Sequence, residues 1–194
     1  MADLGPQDHI VLGLIARHGP LTPYELKSRL EESVDYFWPV PHAQLYRIPV
    51  RLAEQGLLDE EAEQGGRRRR LFHLTDTGRA ELKRWLADPQ CPPAETRDPA
   101  QLKLFFADLG APGDVVALAN SEAAEHRRLL ELYRSLHTDI DPSDKVRAVS
   151  RARILRLGIL HEQAYVEFWE DLAADPEYLR PAAEVVGVRR GGRA

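Results

Sequence analysis

The sequence predicts a mainly α-helical chain with one small β-hairpin, divided into two domains. Three observations carry that expectation. Apolar residues recur at helical spacing through most of the 194 residues. Two short strand-like runs flank Gly65-Gly66, a turn signal. A proline-dense polar stretch, Asp88-Pro89-Gln90-Cys91-Pro92-Pro93-Ala94, reads as a linker.

Each element has its own signal. From Gln7 to Arg17, Ile10, Val11, Leu14 and Ile15 form one apolar face, and Gly19-Pro20 ends the helix. Thr22 is placed to cap a second helix, with Pro23 at its first position and Glu25 at its third, the capping-box pattern. Leu26, Leu30 and Val34 supply its core face, and Pro39 and Pro41 break the chain. A third helix is expected from His42 to Gln55, with Gly56 at C′. It turns Leu45, Ile48 and Leu52 inward and Gln44, Arg47 and Arg51 outward. Strands are expected at 57–62 and 70–74. Thr75 then caps a fourth helix carrying Leu82, Trp85 and Leu86 inward.

Three helices followed by a hairpin is the order of a winged helix-turn-helix, in which the third helix enters the major groove and the hairpin meets the backbone or minor groove. Residues 1–87 are assigned to that domain, 88–98 to the linker, 99–180 to a helical dimerisation and effector domain, and 181–194 to a Gly/Arg-rich disordered tail. In the second domain Asp98-Pro99 opens a short helix with Leu102, Leu104, Phe105 and Phe106, and the Gly110 to Gly113 stretch breaks it. A long helix follows from about Asp114 to His137, with Val115, Leu118, Leu129, Leu132, Tyr133 and Leu136 as its apolar face. Another runs from Asp141-Pro142-Ser143 to about Ala174. Its apolar stripe is wide, so it needs more than one neighbour, and a second copy of the chain is the economical supplier. Leu157, Leu160, Ala164, Phe168, Trp169 and Leu172 are the expected dimer contacts.

The bulk numbers set limits. With 43% hydrophobic and 29% charged residues, the balance is that of an ordinary globular protein. A formal net charge of -5 argues against indiscriminate coating of nucleic acid but leaves a local basic surface open. One cysteine, Cys91, excludes an internal disulfide and a CxxC site, though it leaves redox sensing open. The acidic N-terminus lacks the basic region of a signal peptide, and no apolar run approaches membrane-spanning length, so a cytoplasmic location is expected.

The charge map supplies a functional expectation. Between Asp35 and Glu54 there is no acidic residue, and that window holds the third helix. Between Glu63 and Asp76 there is none either, and that window holds Arg67, Arg68, Arg69 and Arg70 at the hairpin tip. DNA binding needs cations where phosphates lie and hydrogen-bonding side chains against base edges. Gln44 suits an adenine edge, and Arg47 or Arg51 a guanine or a phosphate. Tyr46 can donate to a phosphate or pack under the wing; His42 can meet phosphate at the helix N-terminus or act as a cap. Tyr24 and Lys27 on the second helix complete the candidate DNA surface.

These residues resemble the PadR-like family of transcriptional regulators. Gly19-Pro20-Leu21-Thr22-Pro23-Tyr24-Glu25-Leu26 is similar to its GPLxGYDL segment, and Phe37-Trp38-Pro39 with Gln44-Leu45-Tyr46-Arg47 to its FWxxxxxQIYR stretch. Residues 52–58, the wing with Leu74-Thr75-Asp76-Thr77-Gly78-Arg79, and Leu102-Lys103-Leu104-Phe105-Phe106-Ala107 continue the resemblance in order. The resemblance implies a homodimer that represses at palindromic operators and is released by a small ligand, with phenolic acids and planar hydrophobic drugs as candidate classes. Three residues depart from the pattern: Pro49 inside the third helix, Phe72 where tyrosine is common, and Pro23 for a usual glycine. Pro49 implies either a kink or a later helix start.

Trp38, Phe105, Phe106, Tyr165 and Trp169 either line a flat effector pocket or pack a core. No nucleotide loop, metalloprotease motif or nucleophile elbow occurs, and His126, His137 and His161 lack metal-ligand spacing, so neither an enzyme nor a metal or other cofactor is expected. The alternative function is a winged-helix module that docks another protein without reading DNA.

Overall fold

The structure, a computed structural model, describes residues 4–62, 70–138 and 145–174. The chain divides into two compact units, Met1–Pro93 and Ala94–Ala194.

The first unit orders its elements as α1 (Pro6–His18), α2 (Pro23–Glu31), α3 (His42–Glu54), β1 (Leu58–Ala62), β2 (Arg70–Leu74) and α4 (Asp76–Ala87). Local chemistry sets most of these boundaries. Thr22 Oγ1 accepts from the Glu25 N–H at 3.3 Å, while the Glu25 carboxylate accepts from the Thr22 N–H at 2.8 Å, so two helix-end donors are satisfied reciprocally. At the end of α3, Gly56 takes a φ of +71°. Its N–H donates to Ala53 and the Leu57 N–H donates to Leu52, both at 2.9 Å, the Schellman pattern that a residue with a Cβ adopts poorly. Thr75 Oγ1 accepts from the Gly78 N–H at 2.9 Å and donates to the Gly56 and Leu57 carbonyls, tying the start of α4 to the end of α3. A Cβ at Gly78 would fall 2.1 Å from the Leu57 carbonyl oxygen, so only glycine allows that approach.

β1 and β2 pair antiparallel, with Glu60 opposite Phe72 and Ala62 opposite Arg70. Leu21, between α1 and α2, adds an antiparallel bridge to Phe72 through two backbone hydrogen bonds of 3.0 and 3.2 Å. One core joins Val11, Leu12, Leu14 and Ile15 of α1, Leu26 and Leu30 of α2, Leu45, Ile48 and Leu52 of α3, Leu58, Phe72 and Leu82. Val34 packs against it, partly buried. Two residues expected inside lie outside: Trp85 and Leu86 are exposed. α4 offers only a narrow face to α1, and Trp85 at its rim stacks on His9 with ring centroids 4.4 Å apart.

The second unit holds α5 (Pro99–Phe105), a one-turn 3-10 helix (Ala107–Leu109), α6 (Pro112–Thr138) and α7 (Lys145–Ala174). Asp98 caps α5 by accepting from the Ala100 N–H at 2.8 Å. The expected start at Asp141 to Ser143 lies outside the described residues. α6 and α7 pack along their length in antiparallel order: Tyr133 lies beside Gly158, His126 meets Glu162, and Ala119 and Ala123 meet Trp169. Trp169 is buried against Ala119 and Ala123, whose small side chains leave room for the indole. On α6, Val115 and Leu130 are buried while Leu129 is only half-buried, a one-residue shift from the expected face.

Candidate nucleic-acid interface

α3 presents the expected outward residues, each in a different environment. It begins at His42, whose N-cap is Pro41, so His42 is the first helical residue and not the cap. Pro49 is buried inside the helix, which neither starts later nor ends early because of it. Tyr24 and Tyr46 are exposed, Gln44 is half-buried, and Arg47 is exposed with no ion pair among the described residues.

The other described cations of this surface have acidic neighbours within the protein. Glu31 Oε1 lies 3.3 Å from Lys27 Nζ and 3.9 Å from His42 Nε2, linking α2 to the start of α3. Arg51 Nη2 donates to Asp8 Oδ1 on α1. Arg70 donates through Nε and Nη2 to both oxygens of Glu60, with its guanidinium 5.7 Å from the Phe72 ring centre. That pairing holds the Glu60 carboxyl below its ordinary range and pushes the Arg70 guanidinium up. Arg67, Arg68 and Arg69 lie outside the described residues.

Sequence reasoning missed these acidic partners. Asp8 and Arg51 are separated by 43 positions, and no local pattern announces a contact at that range. Glu60 and Arg70 were accessible in principle, since the strand register brings their alternate positions together.

In the second unit, a groove of about 520 Å³ is lined by Gln101, Leu104, Phe105, Ala164, Tyr165, Phe168 and Trp169. Three of the five expected effector residues, Phe105, Tyr165 and Trp169, thus meet at one place. Gln101 Nε2 donates to Tyr165 Oη at 2.7 Å. Behind it the Tyr165 ring lies against His126 and His161, each with centroids 4.6 Å away, and Glu162 Oε2 sits 2.6 Å from His126 Nδ1. The Trp169 indole N–H is buried with no hydrogen-bond partner among the described residues. Phe106 lines a second depression of about 450 Å³ with Lys103, Asp114 and Leu118. Trp38, exposed, belongs to the first unit.

Of the expected dimer residues on α7, Leu157, Leu160, Ala164 and Phe168 are exposed along one helical face. Val149 and Ile154 extend the same exposed stripe. Leu172 is half-buried, and Trp169 faces α6 inside its own unit.

Comparison with known proteins agrees with this architecture. Residues 11–84 match the Transcriptional regulator PadR-like family, and residues 96–175 match the Virulence activator alpha C-term family. A probable transcriptional regulator of Mycobacterium tuberculosis is 30% identical over 165 residues, covering 77% of this chain and 87% of that protein. The negative transcriptional regulator PadR of Bacillus subtilis is 31% identical over 100 residues, 50% of this chain and 54% of that one. The crystal structure of B. subtilis PadR in complex with operator DNA superposes with a TM-score of 0.78 at 23% identity, covering 89% of this chain and 99% of that one. The same protein in complex with p-coumaric acid gives 0.75 at 23% identity, over 86% and 96%. These relatives are regulators rather than enzymes, and no described helix is long and apolar enough to cross a membrane. With its two units matched in sequence and in fold, the chain belongs to the PadR-like family of transcriptional regulators.

Proposed function

We propose that the chain is a cytoplasmic, sequence-specific DNA-binding repressor, acting as a homodimer on a palindromic operator and released by a small aromatic or hydrophobic ligand. The observation that carries the reading is the outward face of α3. It carries Gln44, Tyr46 and Arg47, holds no acid between Asp35 and Glu54, and leaves the Arg47 guanidinium without an ion pair among the described residues. A bidentate arginine on a guanine and a glutamine on an adenine are the side-chain geometries that read the major groove. His42, Lys27 and Tyr24 flank that face, where they suit phosphates, and the arginines at 67–70 suit the backbone or minor groove beside it. The stripe Leu157, Leu160, Ala164 and Phe168 is the proposed dimer contact, which sets the separation of the two α3 helices near one turn of DNA, roughly 34–36 Å. The groove at Phe105, Tyr165 and Trp169 is the proposed effector site. A ligand there acts by preferring one arrangement of the C-terminal helices, and so one spacing of the paired α3 helices.

The test is binding of the purified chain to the duplex upstream of its own gene and to a scrambled duplex across a salt series, beside a selection of bound genomic fragments. Selective binding that weakens with salt, and weakens further when Arg67 to Arg70 are changed to glutamine, is expected. p-Coumaric acid, the ligand of the B. subtilis structure, is the first effector probe. No enriched fragment and no loss in the arginine variant would overturn the reading in favour of a protein-docking module.

A further inference from the structure

We propose that Asp8 is a positioning residue for the recognition helix: by holding Arg51 it fixes the far half of α3 against α1 and keeps that guanidinium off DNA phosphates. The inference rests on the DNA-binding reading above. Asp8 is nearly inaccessible, with 5% of its side chain exposed, whereas Arg51 keeps 52%. The carboxylate is fixed by its own helix end, since Oδ2 accepts the Gly5 N–H at 3.0 Å, and Oδ1 takes Arg51 Nη2. A buried carboxylate needs a cation and filled lone pairs, so the pair is a built contact rather than a chance surface meeting.

Pro49 explains why such a contact matters here. It lies two residues before Arg51 and has no N–H to give the Leu45 carbonyl, so one rung of α3 is missing at mid-helix. Beyond that gap the helix is held by buried Leu52, by the Gly56 turn with its tie to Thr75, and by Arg51 on Asp8, the one of these that faces α1 through an ion pair. Gln44 and Arg47 lie before the gap, and their register on base edges depends on the whole helix keeping one direction. Arg51 sits one turn after Arg47 on the same side of α3. Released from Asp8, it becomes a long mobile cation within reach of any phosphate, and phosphate contacts carry no sequence information.

The experiment compares the full-length wild type with Asp8→Asn, Asp8→Glu, Arg51→Gln and Asp8→Asn/Arg51→Gln. Each is titrated over a salt series against a genomic fragment selected by the wild type and against a scrambled duplex of equal length. Asp8→Asn is expected to bind the scrambled duplex several-fold more tightly. Its log K against log[salt] slope should steepen by about 0.9 per protomer, one added phosphate contact, and its preference for the selected fragment should fall. Asp8→Glu, which keeps the charge, stays near the wild type. Arg51→Gln leaves the slope of the scrambled duplex unchanged, and the double variant returns it to the wild-type value without restoring preference. A slope unmoved by Asp8→Asn, or lowered by Arg51→Gln, overturns the proposal. If Asp8→Asn fails to fold by circular dichroism, the double variant, which strands no buried charge, and Arg51→Gln carry the test. A wild type that selects no fragment overturns the DNA reading and this inference together. A selective wild type matched in slope and preference by folded Asp8→Asn overturns this inference alone.

Discussion

The two units bury their apolar residues differently. In the first, α1, α2, α3 and Phe72 of the wing close a core of large aliphatic side chains within one copy of the chain. In the second, the cluster is three alanines around Trp169 of α7, and several other long side chains of α5, the 3-10 helix and α7 stay outside: Leu102, Phe105, Leu109, Leu157, Leu160 and Phe168 are all exposed. Isolated exposed apolar residues are normal, but a stripe at successive turns of a 30-residue helix is an interface pattern. The first unit closes its core within one copy, and the exposed stripe of the second is the surface that the proposed dimer would cover. This is the division of labour expected when one unit reads a half-site and the other joins two readers.

The largest effect that sharpens this contrast is on assembly. Leu157→Glu with Leu160→Glu places charges on the stripe, and the chain is expected to sediment as a monomer with its first unit still folded. Losing the linked second half-site should cost operator affinity about 100-fold or more, the gain that tethering two binding modules supplies. A variant that still sediments as a dimer would place the interface elsewhere. Next comes the core. Phe72, fully buried, should cost about 3–5 kcal/mol when changed to alanine. Phe168→Ala, half-exposed, should cost far less in denaturant unfolding at concentrations where the dimer is dissociated. Equal costs would erase the difference between the units. Smaller again is Thr22→Ala, which removes the capping box of α2 and should cost about 1 kcal/mol in the same unfolding measurement. No change would mean that the tertiary contacts of Leu26 and Leu30 alone define that helix start.

Much of the first unit was legible because its signals are local. The Thr22 and Thr75 caps and the glycine turn at Gly56, like the Asp98 cap in the second unit, each act within a few residues of their own position, so reading them needs no tertiary knowledge. The misses are all at range. The apolar identity of Trp85 and Leu86 says nothing of how narrow the α1 face beneath them is. Over the 27 residues of α6, periodicity fixed a face but not its phase, so Leu130 took the place expected of Leu129. Trp169 was expected at the dimer contact, and either in an effector pocket or in a core. It turned inward because Ala119 and Ala123 leave space, a complementarity between two helices that neither helix displays alone. The charge map marked α3 and the wing as acid-poor, but it could not show which of their cations, with Lys27 beside them, are already matched by Glu31, Asp8 and Glu60.

The smallest effect separates an ion pair that joins two strands from one that lies along a single helix. Arg70 holds the Glu60 carboxyl below the ordinary value near 4.5 by direct hydrogen bonds, and Arg128 does the same to Glu125 within α6. For a carboxyl depressed in the folded state, the stabilising contribution is full above the unfolded value and is lost as pH falls through the folded one. Both pairs should therefore weaken only below about pH 4.5, and both should be muted by salt because they are solvent-exposed. The consequences differ. Protonating Glu60 loosens a contact between β1 and β2, whereas protonating Glu125 leaves α6 with its backbone ladder intact. Carboxyl titration by NMR should give a depressed midpoint for both residues. Glu60→Gln should flatten part of the acid-side fall in thermal stability of the first unit, and Glu125→Gln should flatten that of the second unit by a smaller amount. An ordinary midpoint at Glu60 would show that Arg70 is free of it in solution and returns to the set of cations facing DNA.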